Sequence, residues 1–220
     1  MKGTLKDRLQ ELDRLYPTWE KKTIWEYFLQ TADRFPEQEF VVAQGRESYT
    51  YRQTVEESLR IAKGFLAAGV PVNTALSAGE LQFVLNQSEA KFLAADKLPE
   101  TDLSQTGLKQ VFCLSRPEGE PHFPVTGWEE FLAAGEKESL PERTGALYGD
   151  EASDIIYTSG STKAPKGVVL THDMLMRSAY ASCRNRGFEL GRRIFVPLPM
   201  FHVYGYVEGF LAGILTGGAL

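Results

Sequence analysis

The sequence predicts an α/β fold with layered sheets and flanking helices. Short apolar runs of strand length alternate along the chain with longer segments whose apolar residues recur at helical spacing. Glycine and proline cluster between these segments, where turns are expected. Strands that are joined through helices favour parallel pairing, so we expect a largely parallel sheet. The 220 residues are enough to bury the core of one or two domains.

The N-terminal segment predicts two helices followed by a strand pair. Apolar residues at helical spacing indicate a helix over residues 5–16. A second helix is predicted to begin near Thr23, because a threonine followed three residues later by a glutamate, Glu26, is the signature of a capping box. Residues 39–43 form a predicted strand, and residues 47–51 are its return after a turn.

The middle of the chain predicts two further helices and two strands. Thr50 is placed to cap the first of these helices, and Gly69 lies where a glycine would end it. Ser77 is predicted to begin the second helix, which runs to residue 87, since a glutamate again follows three residues later. Strands are predicted over residues 91–95 and 110–115.

Residues 117–150 predict a surface connection, because glycine, proline and glutamate dominate them apart from a short helical pattern at residues 126–134. The alternation of strand and helix resumes after it. The predicted order is a strand at 153–158, a hydroxyl-rich loop, a strand at 167–170, a helix from about Asp173, a strand at 193–197 and an apolar helix from about Tyr204.

Composition and charge exclude several classes of function. The formal net charge is -5 and no basic stripe is present, so we expect no nucleic-acid partner. The two cysteines and three histidines show neither a disulfide framework nor zinc-ligand spacing, which favours a reducing compartment. Residues 1–17 lack the apolar core of a signal peptide, and the apolar stretch 205–220 is interrupted by Glu208. We therefore expect a cytoplasmic protein without a membrane span.

The loop after the strand at 153–158 has the composition of an anion-binding site. Glycine allows backbone N–H groups to point inward, hydroxyl groups add hydrogen-bond donors or sit in the shell of a Mg²⁺, and a lysine supplies a point charge for a polyphosphate. The loop residues in question are Thr158, Ser159, Gly160, Ser161, Thr162 and Lys166. Lys166 is followed by Gly167, whereas the lysine of a Walker-type P-loop is followed by serine or threonine, so this loop is not a P-loop of that kind. A solvated turn between two strands is the alternative interpretation of this composition.

The order of residues 157–168 resembles the signature loop of the adenylate-forming (AMP-binding) superfamily, which includes acyl-CoA synthetases, peptide-synthetase adenylation domains and luciferases. In that family a strand ending in Tyr-Thr-Ser-Gly leads to Ser/Thr-Thr-Gly-x-Pro-Lys-Gly and then to a Thr-His pair, which is Thr171 and His172 here. The likeness covers most of the chain, because it also includes residues 48–51, 71–74, 80–81, 88–90, 197–202 and 205.

The resemblance implies that residues 1–220 are a partial N-terminal AMP-binding domain, the front of the large domain of an acyl-CoA synthetase. Such an enzyme uses ATP and Mg²⁺ to convert a carboxylic acid, here of the fatty class, into an acyl-adenylate. The acyl group then passes to coenzyme A. The partners it implies are therefore small molecules: the acid, ATP and coenzyme A.

The resemblance also assigns roles to individual residues. Thr158, Ser159, Gly160, Ser161, Thr162 and Lys166 are expected to bind ATP, with Ser161 as the metal ligand. Lys166 and His202 are the predicted catalytic residues, and His202 with Tyr206 is predicted to bind the acid. Core packing is the alternative for Tyr206, and His172 is given a structural role.

The sequence departs from the family pattern at three places. Lys163 stands where the family usually has glycine, so it either forbids a left-handed backbone, adds a positive charge near the phosphates, or is an exposed loop lysine. A strand–helix–strand unit is expected to be missing or deleted near residues 69–71, since the join is too short for a crossover. The sheet that loses these strands is then exposed or repaired by another chain, which makes a homodimer a candidate assembly. The family's C-terminal domain is absent from the 220 residues, so we expect this chain alone to be inactive.

Two other functions remain open at this point. The first is an adenylation domain that loads a carrier protein instead of coenzyme A. The second is a truncated, non-catalytic module that binds nucleotide. The residues of the chain do not discriminate between the acyl acceptors.

Overall fold

The computed structural model describes residues 4–42, 48–67, 76–115, 121–138, 148–158, 165–200 and 202–220. The chain divides into two compact units. The first unit comprises Met1–Glu56, Gly145–Ile156 and Val169–Leu220, and the second comprises Glu57–Thr144 and Tyr157–Val168. Gly69 and the expected missing unit near residues 69–71 lie outside the described residues.

Most predicted elements are present, and their bounds differ from the predictions by one or two residues. The helices are α1 (Leu5–Leu15), α2 (Ile24–Arg34), α3 (Tyr51–Ala67), α4 (Ala78–Gln87), α5 (Trp128–Gly135), α6 (His172–Arg186) and α7 (Ala212–Thr216). A 3₁₀ turn covers Leu103–Gln105, and a π-helix covers Tyr204–Leu211 directly before α7. The strands are β1 (Glu39–Val42), β2 (Ser48–Thr50), β3 (Phe92–Ala95), β4 (Gln110–Cys113), β5 (Val125–Gly127), β6 (Ala152–Thr158) and β7 (Lys166–Thr171).

Capping residues begin the helices where the sequence predicts them. The Thr23 hydroxyl accepts a hydrogen bond from the Glu26 N–H at 3.2 Å, and the Glu26 carboxylate accepts one from the Thr23 N–H at 2.7 Å. Thr50 exchanges the same pair of bonds with Gln53 at the start of α3. Because each cap involves residues three positions apart, it forms with little help from the rest of the fold.

Three sheets are present among the described strands. In the second unit β3, β4 and β5 form a sheet in that order, and both pairs are parallel, which is the type of pairing expected from the sequence. In the first unit β1 and β2 pair antiparallel. β6 and β7 form a third pair, joined by residues 159–165 alone. A connection of this length is too short for a parallel crossover, so this pair is also a hairpin. The expectation of a largely parallel fold therefore applies only to the sheet of the second unit.

Two predictions made from the sequence are wrong. The expected surface connection contains the strand β5, and the Val111 N–H donates to the Pro124 carbonyl oxygen at 3.0 Å beside it. This strand could not be predicted from the sequence, because three residues are too few to show a periodic pattern. The strand predicted at residues 193–197 is reduced to a single bridge between Arg193 and Ala219. Prolines follow closely and Phe195 is 88% exposed, so no ladder develops there.

The C-terminal helix of the described chain is buried in the first unit, and side chains from the N-terminal segment satisfy its last carbonyl groups. The buried Tyr51 hydroxyl lies 2.8 Å from the Gly213 oxygen and 2.9 Å from the Gly218 oxygen. Thr31 donates to the Ile214 oxygen at 2.7 Å, and Tyr16 donates to the Leu215 oxygen at 3.0 Å. These donors take the place of the next helical turn and tie both ends of the described chain into one core.

We expect Tyr51→Phe to lower the free energy of unfolding by about 1–3 kcal/mol, because the change removes a buried donor from two carbonyl oxygens and keeps the ring. Urea denaturation of the chain measures this loss. Tyr49→Phe is the matched control, since Tyr49 is 41% exposed and should change stability little. Equal urea midpoints for the two variants would show that the Tyr51 hydroxyl does not stabilise the helix end.

The described part of the chain contains no helix that is long and apolar enough to cross a membrane. Cys113 and Cys183 are both free and buried. Burial raises the pKa of the Cys183 thiol to about 12. Among the described residues no group of three or more histidine, cysteine or acidic side chains could hold a metal ion.

Candidate functional site

The hydroxyl-rich loop connects the two strands of the β6–β7 hairpin. Thr158 is the last residue of β6 and Lys166 the first residue of β7, so the structure brings these two predicted site residues to the two ends of the loop. Both side chains are exposed. Ser159, Gly160, Ser161 and Thr162, with the metal ligand predicted at Ser161, lie outside the described residues, as does Lys163.

Lys166 is an exposed lysine at the start of β7. In the parts of the chain that the structure describes, its ammonium group has no carboxylate partner. Its charge is therefore available for a ligand, whereas many of the arginines of the first unit are engaged in ion pairs. On the opposite strand the Tyr157 hydroxyl reaches the Val84 carbonyl oxygen at 3.5 Å and joins the hairpin to α4.

The strand β7 leads directly into α6. The Thr171 hydroxyl accepts a hydrogen bond from the Met174 N–H at 3.1 Å and caps the helix. The next residue is His172. Its ring nitrogen Nδ1 accepts a hydrogen bond from the Ile24 N–H at 3.3 Å. Its backbone N–H donates to the backbone carbonyl oxygen of Glu151 at 3.3 Å. The ring thus joins the beginning of α2 to the beginning of α6, in keeping with a structural role.

Burial lowers the pKa of His172 below its ordinary value of 6.5, and the carboxylates of Asp154, Glu151 and Glu26 oppose this shift. The fold therefore favours the neutral ring. The stability that the neutral ring contributes is complete above pH 6.5 and is lost as the pH falls through the lowered pKa of the folded state.

Accordingly, the urea midpoint of the chain should fall as the pH drops below 6.5, and His172→Asn should make this fall shallower, because asparagine keeps an acceptor without titrating. Denaturation curves at a series of pH values measure the slope. His122→Asn is the control, since His122 is exposed. Identical slopes for His172→Asn and the unaltered chain would contradict the prediction.

His202 lies immediately before the π-helix and is exposed. Its N–H donates to the Pro199 oxygen at 3.0 Å, and its own carbonyl oxygen accepts from the Tyr206 N–H at 3.0 Å. Its Nδ1 accepts a hydrogen bond from the Tyr204 N–H at 3.2 Å. The imidazole thereby satisfies an N–H at the start of the helix, which fixes the side chain against the backbone.

A close backbone contact at Gly205 holds the segment before His202 against the helix. A Cβ atom at this position would lie 2.5 Å from the Pro199 oxygen and 2.8 Å from the Leu198 oxygen. Only glycine leaves room for this approach. The glycine therefore helps to set the position of His202 relative to the helix.

Tyr206 packs as the alternative interpretation expects, and its role in binding the acid stays a prediction. Its ring packs against the core of the first unit and stacks on Phe210, with the ring centres 5.9 Å apart. Burial, and after it the nearby Asp154 carboxylate, raises the pKa of its hydroxyl, so this group stays protonated. Sequence reasoning missed Asp154. The signal was a carboxylate in a strand, directly before the apolar pair Ile155 and Ile156.

The predicted site residues thus fall into two groups. Thr158 and Lys166 belong to the second unit and lie at the two ends of one hairpin loop. His202 and Tyr206 belong to the first unit and lie on one turn at the start of the π-helix.

Comparison with known proteins identifies relatives of this chain. The model of one family, described as AMP-binding enzyme, matches residues 67–220. The protein YngI of Bacillus subtilis is 28% identical over an alignment that covers 90% of this chain and 46% of YngI. The long-chain-fatty-acid–CoA ligase FadD13 of Mycobacterium tuberculosis is 33% identical over 62% of this chain and 26% of its own length. The chain thus spans less than half the length of either relative.

A solved structure shows the fold. The crystal structure of the N-terminal domain of FACL13 from Mycobacterium tuberculosis superposes with a TM-score of 0.67 at 22% identity. The match covers 90% of this chain and 56% of that one. The layered α/β arrangement predicted from the sequence is therefore that of the N-terminal domains of these proteins.

Proposed function

This chain belongs to the family of AMP-binding enzymes, and on that premise we propose that it takes part in the ATP-dependent activation of a carboxylic acid. The product of the first step is an acyl-adenylate, and the acyl group then passes to coenzyme A. In this proposal the chain supplies the front of a ligase's large domain, with the phosphate-binding loop and part of the acid site.

The observation that carries the proposal is the β6–β7 hairpin. Thr158 ends one strand, three more hydroxyl residues and a glycine follow it, and a lysine without an ionic partner among the described residues begins the next strand. A polyphosphate needs this combination of donors and positive charge. The family match supports the same interpretation, because residues 67–220 include the whole loop.

The loop has a defined task in the first step. An oxygen of the acid's carboxylate bonds to the α-phosphorus of ATP while the bond between the α- and β-phosphates breaks and pyrophosphate leaves. Negative charge therefore accumulates on the leaving group. Lys166 and the loop hydroxyls would stabilise that charge, and pre-positioned donors are the groups that lower such barriers most.

The magnesium ion that accompanies ATP would be held at Ser161 together with phosphate oxygens. A hydroxyl oxygen is a suitable ligand for this hard cation, which usually keeps several waters and takes few protein ligands. When bound, the ion neutralises phosphate charge. The protein's own contribution to charge neutralisation in this proposal remains Lys166.

His202 would hold the carboxylate of the acid in the first unit, and the ring of Tyr206 would contact the rest of the acid, since its hydroxyl faces Asp154. The exposed His202 ring can donate from Nε2 to a carboxylate oxygen, because Nδ1 is already occupied by the Tyr204 N–H. Several residues close to His202 in the sequence have apolar side chains that are 42% to 88% exposed: Phe195, Leu198, Met200 and Val203. An acid with an apolar chain would cover such a surface, which supports a fatty acid as substrate.

In the second step the thiol of coenzyme A bonds to the acyl carbon while the bond between that carbon and the AMP oxygen breaks. The name of FadD13 supports coenzyme A as the acceptor over a carrier protein. AMP and an acyl thioester are then the products.

The test uses the longest protein that carries this sequence. Incubated with ATP, Mg²⁺, coenzyme A and a series of fatty and aromatic acids, it should form thioesters fastest with fatty acids. A purified acyl-carrier protein in place of coenzyme A is the comparison acceptor. Faster transfer to the carrier protein, or faster reaction of aromatic acids, would overturn the proposed acceptor or acid class.

A further inference from the structure

A cluster of polar side chains holds the start of the π-helix, whose first N–H donates to His202. The Arg186 Nη1 donates to the Tyr204 Oη at 3.2 Å, and the guanidinium carbon lies 5.5 Å from the centre of the Tyr204 ring. The Arg186 Nη2 pairs with the Glu208 carboxylate at 3.0 Å, and that carboxylate also accepts a hydrogen bond from the Ser182 hydroxyl. We call these four residues the Arg186 bracket.

The bracket links two helices at their adjoining ends. Arg186 and Ser182 lie in the last turns of α6, whereas Tyr204 and Glu208 lie four residues apart on the π-helix. The Glu208 side chain is 20% exposed, so its charge is partly removed from water and its bonds to Arg186 and Ser182 are worth more than at a free surface. The first turn of the π-helix is thereby held at two points, the ring of Tyr204 and the carboxylate of Glu208.

The same turn carries the N–H that orients His202. Tyr204 is fixed through its side chain by Arg186, and its backbone N–H donates to His202 Nδ1 at 3.2 Å. A ring whose Nδ1 accepts a hydrogen bond has its proton on Nε2 when neutral. The chain of contacts therefore runs from Arg186 through Tyr204 to the protonated, exposed nitrogen of His202.

We propose that the Arg186 bracket positions His202, holding its ring as an Nε2–H donor aimed at the carboxylate of the acid. The part that concerns the acid rests on the proposed function, whereas the positioning of the ring does not. Arg186 and Tyr204 are in this view positioning residues, since they act through His202. A bracket that only packs two helices together would change stability and leave the ring unaffected.

The test is nitrogen-15 NMR of the 220-residue chain. In the unaltered chain His202 should show an unprotonated Nδ1 and a protonated Nε2, and the Tyr204 amide should be protected from hydrogen exchange. Arg186→Met should accelerate exchange of the Tyr204 amide by roughly three- to tenfold, the factor for loss of one hydrogen bond of ordinary strength. It should also move the His202 ring signals toward those of a free imidazole.

Two further variants keep the test decisive. Tyr204→Phe removes only the acceptor of Arg186, so it should produce a smaller change in the same direction even where Arg186→Met fails to fold. Arg192→Met is the control, because Arg192 is 60% exposed in its side chain and pairs with Glu189 at the surface. Unchanged His202 signals in a folded Arg186→Met or Tyr204→Phe variant would overturn the proposal, as would a protonated Nδ1 in the unaltered chain.

A kinetic measurement separates the two parts of the proposal. In the acid-activation assay of the proposed function, Arg186→Met should lower kcat for acyl-adenylate formation roughly tenfold with little change in the KM for ATP. An altered ring with unchanged kcat would overturn the link to the acid. A ligase that activates no acid at all would refute the proposed function and leave the NMR result to stand by itself.

Discussion

If the proposed function holds, replacing Lys166 with alanine should reduce acid-dependent exchange of pyrophosphate into ATP by about 10²-fold or more, the usual effect of removing one pre-positioned group that stabilises charge in the transition state. The lysine begins β7 directly after the hydroxyl-rich loop, and it has no ionic partner among the described residues. Its charge is therefore free to meet the departing pyrophosphate.

The folded state should be little affected by the same change. Lys166 is exposed, so its replacement should leave the urea midpoint within the ordinary range for surface substitutions, about 0.5 kcal/mol. Lys97→Ala is the matched control, since Lys97 is an exposed lysine of the same unit that lies far from the loop in sequence. If Lys166→Ala and Lys97→Ala catalyse pyrophosphate exchange at the same rate, Lys166 does not belong to the site.

Gly205→Ala should lower the free energy of unfolding by about 1–3 kcal/mol, the usual cost of forcing an atom into a close-packed place. The added methyl group would meet two backbone oxygens, those of Pro199 at 2.5 Å and Leu198 at 2.8 Å, which cannot rotate away as a side chain would. The segment that ends at His202 would have to move. We therefore expect acid activation to fall together with stability.

Gly79→Ala provides the matched control for this prediction. A Cβ atom at Gly79, in the first turn of α4, meets nothing within 4 Å. Alanine is the better helix former, so this variant should be unchanged or about 1 kcal/mol more stable. Equal urea midpoints for Gly205→Ala and Gly79→Ala would show that the segment before His202 does not press on the helix.

Local features of the fold could be predicted from the sequence, because their causes are local. Thr23 and Thr50 cap their helices through residues three positions away, and that spacing is visible in the sequence. The two ends of the hydroxyl-rich loop, Thr158 and Lys166, could be predicted for a similar reason, since one strand precedes the loop and another follows it.

Features that depend on distant partners could not be predicted. β5 exists because Val111 and its neighbours offer it a sheet edge, and its three residues carry no pattern of their own. The carbonyl groups at the end of α7 find their donors more than 160 positions earlier in the chain, at Tyr51, Thr31 and Tyr16. Nothing in the local sequence indicates such pairing.

The Arg186 bracket lies between these two cases. Arg186 and Tyr204 are 18 residues apart and belong to no motif, so their contact could not be predicted from the sequence. Glu208, however, was visible as a charge inside an apolar helix, and a half-buried carboxylate needs a partner. The sequence therefore indicates that Glu208 has a partner, but it does not indicate that the partner is Arg186.

The central claim is that the enzyme containing this chain joins a carboxylate oxygen to the α-phosphorus of ATP. The direct measurement supplies a fatty acid labelled with oxygen-18 in its carboxyl group, together with ATP, Mg²⁺ and coenzyme A, and analyses the nucleotide product by mass spectrometry. The account predicts AMP that carries one labelled oxygen, with pyrophosphate and an acyl thioester as the other products. Unlabelled AMP, or ADP with orthophosphate, would contradict it.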